Sequence, residues 1–222
     1  MAAVIGDLLP LAIGIAISPI PIIAVILMLL SRKATATSTG FLLGWVVGIV
    51  LVTVVVLVLV GQAGNTAGGE PSTLSSVLKL VLGAALILLA VRQWQGRPKA
   101  GETGAMPKWM DAIESFSFVR ALLLGFGLSA INPKMLLCLA AGTTIGAAHL
   151  PTGQVVVATV VFTLLACSSV AVPVVGYLAA RDRMAAPLDR LRAWLTQNNA
   201  AVMAVLLLVI GTVLLGKGIA GF

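Results

Sequence analysis

Six long runs of apolar residues alternate with short segments that hold most of the charged residues. The runs cover residues 8–30, 40–60, 73–91, 118–144, 154–177 and 200–216. A helix needs about 20 apolar residues to cross roughly 30 Å of hydrocarbon, and each run reaches or approaches that length. The pattern therefore predicts an all-α, polytopic membrane protein with six transmembrane helices.

Composition supports lipid as the natural solvent of the chain. Hydrophobic residues make up 60% of the sequence and charged residues only 9%, whereas soluble domains carry roughly 25% charged residues. So few charges cannot cover a water-soluble globule of this length. We expect a single transmembrane domain over residues 1–222.

Basic residues are concentrated in alternate connections between the apolar runs. Segments 31–39, 92–117 and 181–199 carry Lys and Arg, whereas 61–72 and 145–153 carry none. The positive-inside rule then predicts that the first, third and fifth connections are cytoplasmic and that both termini lie outside the plasma (inner) membrane. The net charge of +7 is explained by contacts with anionic lipid, and no nucleic acid partner is expected.

Two of the cytoplasmic connections contain an amphipathic stretch. Residues 107–118 and 187–195 each place apolar side chains on one helical face and charged side chains on another. Each is typical of a short interfacial helix lying on the inner leaflet. Such helices could anchor the bundle or gate a transport site, and the sequence leaves both roles open.

A short motif occurs twice, once in each half of the chain. The sequence AISP at 16–19 matches AINP at 130–133, and each half contains three apolar runs. An odd number of helices places the second half upside down relative to the first. We therefore predict two inverted repeats, 1–91 and 118–222, joined by an amphipathic cytoplasmic linker, 92–117.

The repeated motif predicts a break in the first and fourth helices. A proline inside a helix removes a backbone donor and clashes with the preceding turn. Ser or Asn directly before Pro is typical of a helix N-cap followed by the first helical residue. We expect half-helices to start at Pro19 and Pro133, capped by Ser18 and Asn132, and Pro21 strengthens the first break.

Lys134 is the residue that most directly suggests a ligand. It follows Pro133 near the middle of its span, where a cation costs roughly 2.5–3.5 kcal/mol. No Asp or Glu lies within any deep span to compensate it. Two half-helix N-termini at the same depth would add positive dipole ends. These features predict a midplane site for an anionic substrate; kinks without a ligand and a structural contact of Lys134 remain the alternatives.

Two serines in the fifth run are further candidates for the substrate site. Ser168 and Ser169 precede Pro173 by about one turn. They could line a cavity or satisfy the backbone carbonyls that the proline frees. The sequence does not decide between these roles.

Three glycines form a small-residue face on the second predicted helix. Gly40, Gly44 and Gly48 recur every four residues. This spacing is typical of close helix packing in membranes. The partner helix could belong to the same chain or to a second copy, so a homodimer stays open.

The layout and its motifs resemble the LysE exporter superfamily. Within it, SPIPI at 18–22 with AV at 24–25 and LML at 27–29 is similar to the GAP family, the peptidoglycolipid or sulfolipid addressing proteins of actinobacteria, and NPK at 132–134 fits the superfamily. The resemblance implies no enzyme and no cofactor. It implies export of an anionic glycolipid or related envelope lipid, within a larger export machinery or alone.

Three other functions remain open. Thiol-electron carriers of the same superfamily carry a reactive cysteine directly after the proline of each half, but Ile20 and Lys134 occupy those positions here. Cys138 and Cys167 are therefore interpreted as small core residues, and no metal site is expected. A LysE-like exporter of amino acids or other small solutes is the main alternative. The last is a structural subunit of an export complex.

Overall fold

The computed structural model describes residues 1–64, 73–97, 113, 115–130, 135–148 and 150–219. The long elements in these segments are all helices, which confirms the all-α prediction. They are α1 (Ala2–Ala16), α2 (Pro19–Leu29), α3 (Ala34–Gly64), α4 (Thr73–Gln95), α5 (Phe118–Ala130), α6 (Met135–Ala147), α7 (Thr152–Ala179) and α8 (Arg181–Ile219).

Several helices are long and apolar enough to cross a membrane. Within the described residues, three qualify alone, Ala34–Leu59, Thr152–Ala179 and Arg183–Gly216. The bent pairs α1–α2 and α5–α6 raise the number to five if each pair is one span. Many large apolar side chains on these helices are exposed, as expected where lipid is the solvent. The chain is a multi-pass membrane protein. Helix α4 covers the predicted run 73–91 but is not among these spans, so the sixth span stays a prediction.

The chain folds as two compact units. The first comprises Met1–Thr66 and Met106–Arg192, and the second comprises Ala67–Ala105 and Ala193–Phe222. Each unit takes helices from both halves of the sequence. The division into units does not show whether the two halves are related by symmetry, so the inverted repeat stays a prediction.

Helix α3 is the centre of the first unit. It packs against α2, α5, α6 and α7, while α1 packs against α6 and α7. On α3, the rings of Phe41 and Trp45 stack with centroids 6.2 Å apart, and both side chains are almost fully buried. The core of the unit thus forms around the face of α3 that also carries the glycines.

The glycine face of α3 packs against α5 of the same chain. A Cβ placed on Gly40 would lie 2.6 Å from the Phe118 carbonyl oxygen, and one on Gly44 would overlap the carbonyl of Leu122. On the opposite helix, Gly125 lies directly against the Phe41 carbonyl. Only glycine permits such an approach of two backbones. The sequence left open whether the partner helix belongs to the same chain or to a second copy. The structure shows that the glycine face packs against α5 of its own chain.

In the second unit, α4 runs antiparallel to the C-terminal part of α8. A Cβ on Gly83 would lie 2.9 Å from the Gly211 carbonyl oxygen, and one on Gly218 would lie 2.8 Å from the Leu80 side chain. A residue early in α4 therefore meets one late in α8. Glycines again allow the backbones of the two helices to approach closely.

The last helix differs from the prediction. Residues 187–195 do not form a separate interfacial helix, because α8 continues from Arg181 to Ile219 with Pro187 inside it. Pro187 lies in the exposed second turn, where water or head groups can satisfy the carbonyl that it frees. Asp189 and Arg192 form an ion pair of 2.9 Å on this segment. The predicted 107–118 segment lies mostly outside the described residues.

Orientation in the membrane is a prediction that labelling can test. Single cysteines would replace Thr66 or Lys99 in a background lacking Cys138 and Cys167, and intact cells would be treated with an impermeant thiol reagent. We expect labelling at position 66 only, because the basic connections face the cytoplasm. Labelling at position 99 only would reverse the orientation.

Candidate functional site

The first bend lies between α1 and α2, where the sequence predicted it. Helix α1 ends at Ala16, α2 begins at Pro19, and their axes differ by 54°. The N–H of Ile17 donates to the Ile13 carbonyl at 2.9 Å, and Ser18 has extended backbone angles (φ −80°, ψ 113°). The prediction of a broken first helix is confirmed.

Ser18 occupies the N-cap position of α2, but its side chain makes no capping hydrogen bond. The prediction of a side-chain cap is therefore wrong. A cap accepts from the N–H of the second or third helical residue. The third helical residue is Pro21, which has no N–H, and this leaves only Ile20 as a donor. The proline at the third helical position thus removes one of the two donors that a cap could use.

The same prolines change the chemistry of the half-helix end. Of the first three helical residues of α2, only Ile20 carries a backbone N–H, and the N–H of Ile22 donates to the Ser18 carbonyl at 3.4 Å. A helix start normally offers several free donors. Here the start of α2 keeps its positive dipole but has few unsatisfied N–H groups. Its burial therefore costs less free energy than that of an ordinary helix start. For the same reason it offers an anion fewer hydrogen bonds.

A Ser18→Ala substitution should therefore cost well under the roughly 1 kcal/mol of a typical N-cap. Ser31→Ala is the matched control at the other end of α2, because Ser31 Oγ donates to the Met28 carbonyl at 2.7 Å. Thermal unfolding in detergent should show a larger loss for Ser31→Ala. A larger loss for Ser18→Ala would contradict this reading of the bend.

The second bend separates α5 from α6. Helix α5 ends at Ala130 and α6 begins at Met135, with axes that differ by 65°. Asn132, Pro133 and Lys134 lie outside the described residues, so the Asn132 cap and the role of Lys134 stay predictions. The two helices that flank the predicted motif at residues 132–134 therefore run in different directions.

Packing between α1 and α6 brings the two bends close together. A Cβ on Gly14 would lie 2.9 Å from Leu137 Cδ1. Gly14 lies one turn before Ser18, and Leu137 is the third residue of α6. The last turn of α1 therefore contacts the first turn of α6. This places the start of α2 and the start of α6 in one region of the first unit.

Two buried hydroxyls in the same unit lack hydrogen-bond partners among the described residues. These are Thr53 Oγ1 on α3 and Thr163 Oγ1 on α7. Thr53 lies near the Cys138 thiol, in the first turns of α6, without a hydrogen bond of acceptable geometry. A buried hydroxyl without a partner is costly, and pairing with another polar group would stabilise it. Neither threonine was among the residues predicted from the sequence, although each is a polar residue inside an apolar run.

The two candidate serines are on α7, which continues through Pro173. Ser168 Oγ donates to the Leu165 carbonyl at 2.7 Å, whereas the carbonyl that Pro173 frees belongs to Ser169. Ser168 therefore does not satisfy the freed carbonyl. Both serines are half-buried, and their place in a substrate site stays a prediction.

The two cysteines are buried free thiols. Cys138 is on α6 and Cys167 on α7, and neither directly follows a proline at a bend. Across the described part of the chain, no group of three or more His, Cys, Asp or Glu side chains could hold a metal ion. Their burial fits the interpretation as small core residues.

The chain matches a known protein family. The family described as "Sap, sulfolipid-1-addressing protein" matches residues 8–220, almost the whole chain. No curated protein and no solved structure matches the chain.

Proposed function

The chain belongs to the sulfolipid-1-addressing protein family, and from this premise we propose that it exports an anionic glycolipid or related envelope lipid across the plasma membrane. The membership confirms the resemblance to the sulfolipid addressing proteins that the motifs indicated. The substrate, the transport activity and the wider LysE relationship are parts of the proposal.

The contact between Gly14 and Leu137 is the observation that supports the proposal most directly. It joins the end of α1 to the start of α6, so the starts of two half-helices share one region of the bundle. Aligned peptide dipoles make each start electropositive. Lipid does not tolerate broken helices unless protein or a polar cavity surrounds the break. An anionic head group would stabilise both ends at once.

The charges along the chain favour an anionic rather than a neutral head group. Lys134 follows the second motif directly, and the deep spans contain no carboxylate to neutralise it. At the start of α2, prolines leave Ile20 as the one backbone donor in the first three positions, so that end acts mainly through its dipole. In the proposal, Lys134 therefore supplies the main ionic contact, and α2 lowers the local cost of negative charge.

The hydroxyl of Thr53 is suited to the uncharged part of the same head group. It is fully buried, without a partner among the described residues, and close to Cys138 near the start of α6. Because Thr53 is fully enclosed in this conformation, a sugar hydroxyl or ester oxygen could reach it only after the packing around it opens. Pairing would then remove the penalty of roughly 1–3 kcal/mol for a buried unpaired group. The acyl chains of the lipid would stay in the surrounding bilayer.

Deletion of the gene in its native host tests this function. We expect anionic glycolipid to disappear from the cell surface while its total amount in lipid extracts is maintained, because in this proposal the protein moves the lipid after it has been made. The wild-type chain should restore surface lipid. A chain carrying both Pro19→Ala and Pro21→Ala should restore it poorly, because α1 and α2 could then join into one helix.

The same strains distinguish the lipid exporter from the small-solute exporter. Unchanged surface lipid, together with a loss of amino acids from the medium, would favour the solute exporter and overturn the proposal. The membrane content of each variant, measured by immunoblot, serves as the control.

A further inference from the structure

The second unit contains an apolar groove between α4 and α8. Its volume is about 360 Å³, within the range of small-molecule sites. Apart from Gln95, its lining consists of hydrophobic side chains, namely Ala90, Val91, Trp94, Ala204, Val205 and Leu208. The two helices are in close contact at Gly83 and Gly211. The groove lies on the side of this contact that is nearer to the C-terminal end of α4.

A cationic group lies beside Trp94, one of the residues that line this groove. The Cζ atom of Arg97 is 4.3 Å from the ring centroid of Trp94, and its Nη1 donates to the Trp94 carbonyl at 3.1 Å. Both contacts fix the guanidinium beside a residue that lines the groove. Segments 73–97 and 193–219 contain Lys and Arg but no Asp or Glu. The described part of this unit thus has no carboxylate of its own for Arg97.

We propose that the groove binds an acyl chain of an anionic bilayer lipid whose head group pairs with Arg97. An apolar groove with an arginine held beside one of its lining residues is complementary to an amphiphile with a negative head group. A free anion would leave the groove empty, and a neutral lipid would leave the arginine unpaired. This site belongs to the second unit and does not depend on the export proposal.

Fluorescence quenching of Trp94 tests this inference in nanodiscs that contain the full chain. The lipids are dibrominated phosphatidylglycerol or dibrominated phosphatidylcholine at equal mole fraction, because bromine quenches a tryptophan that it contacts. The signal of a Trp94→Phe variant, subtracted from that of the wild type, isolates Trp94. We expect an apparent preference of about fivefold for the anionic lipid, as one arginine near an anionic surface typically gives.

Matched variants separate the head-group contact from the acyl contact. Arg97→Gln should abolish the preference, whereas Arg92→Gln, in the last turn of α4, should keep it. Ala204→Phe and Val205→Phe should reduce quenching by both lipids because they fill the groove. Val205 is half-exposed, so its replacement needs little repacking. Leu88→Phe, a strongly exposed position on α4 outside the groove, should leave quenching unchanged.

Three results would overturn the inference. Equal quenching of the wild type by both lipids would exclude a specific anionic lipid. If Arg97→Gln and Arg92→Gln weakened the preference for anionic lipid equally, the preference would arise from general surface charge and not from a site at Arg97. Absence of any quenching of Trp94 would mean that protein, from this chain or from a second copy, covers the groove.

Discussion

A Gly125→Ala substitution should destabilise the protein by about 1–3 kcal/mol or more, the usual range for overpacking a close contact. The added methyl group would overlap the Phe41 carbonyl and approach the Trp45 backbone nitrogen at 3.0 Å. Backbone atoms cannot move aside as a flexible side chain can. Helices α3 and α5 would have to separate, which would disturb the core around Phe41 and Trp45.

Gly127→Ala on the same helix is the matched control. A Cβ at Gly127 would meet nothing within 4 Å, and alanine is favoured over glycine in a helix by roughly 0.5–1 kcal/mol. We expect its melting temperature in detergent, followed by size-exclusion chromatography of heated samples, to stay level or rise. Equal losses for the two variants would show that the tight α3–α5 contact is not essential to the fold.

A Lys134→Met substitution should abolish lipid export while leaving the amount of folded protein unchanged or higher. Methionine keeps an unbranched apolar side chain but removes the charge. Removal of a mid-membrane cation also relieves an insertion cost of roughly 2.5–3.5 kcal/mol. Lys134→Arg should retain partial activity. The positive charge remains, but the planar guanidinium group differs in shape from the compact ammonium group that it replaces.

Surface display of the envelope lipid in cells that lack the native gene measures this comparison. Lys33→Met is the control for loss of one positive charge, because Lys33 is exposed between α2 and α3, and export should continue. Wild-type activity of Lys134→Met would mean that Lys134 does not bind the head group. The serines before Pro173 would then become the next candidates.

The breaks in the helices could be predicted because proline acts through its own covalent structure. Pro19 removes a backbone donor in any tertiary context, and the bend lies where the motif is. Pro21 at the third helical position removes one of the two possible cap donors, which the sequence alone shows, whereas the absence of a bond from Ile20 to Ser18 is visible only in the structure. In contrast, Pro187 does not end α8, since an exposed proline near a helix start has solvent or head groups to satisfy the freed carbonyl.

Features that depend on packing partners could not be predicted in the same way. The spacing of Gly44 and its neighbours predicted a close helix contact, but only the fold shows that α5 is the partner. Likewise, a threonine inside a helix usually bonds a carbonyl of its own preceding turn. Whether Thr53 and Thr163 do so depends on side-chain rotamers, which neighbouring helices determine. Their unpaired hydroxyls are therefore visible only in the structure.

A density map of the protein in nanodiscs that contain an anionic glycolipid, obtained by electron microscopy with a bound antibody fragment, tests the central claim most directly. We predict head-group density between the starts of α2 and α6, in contact with Lys134, with acyl density leading from it into the bilayer. Lipid head groups confined to the membrane surfaces, with protein side chains filling the space between Pro19 and Met135, would contradict it.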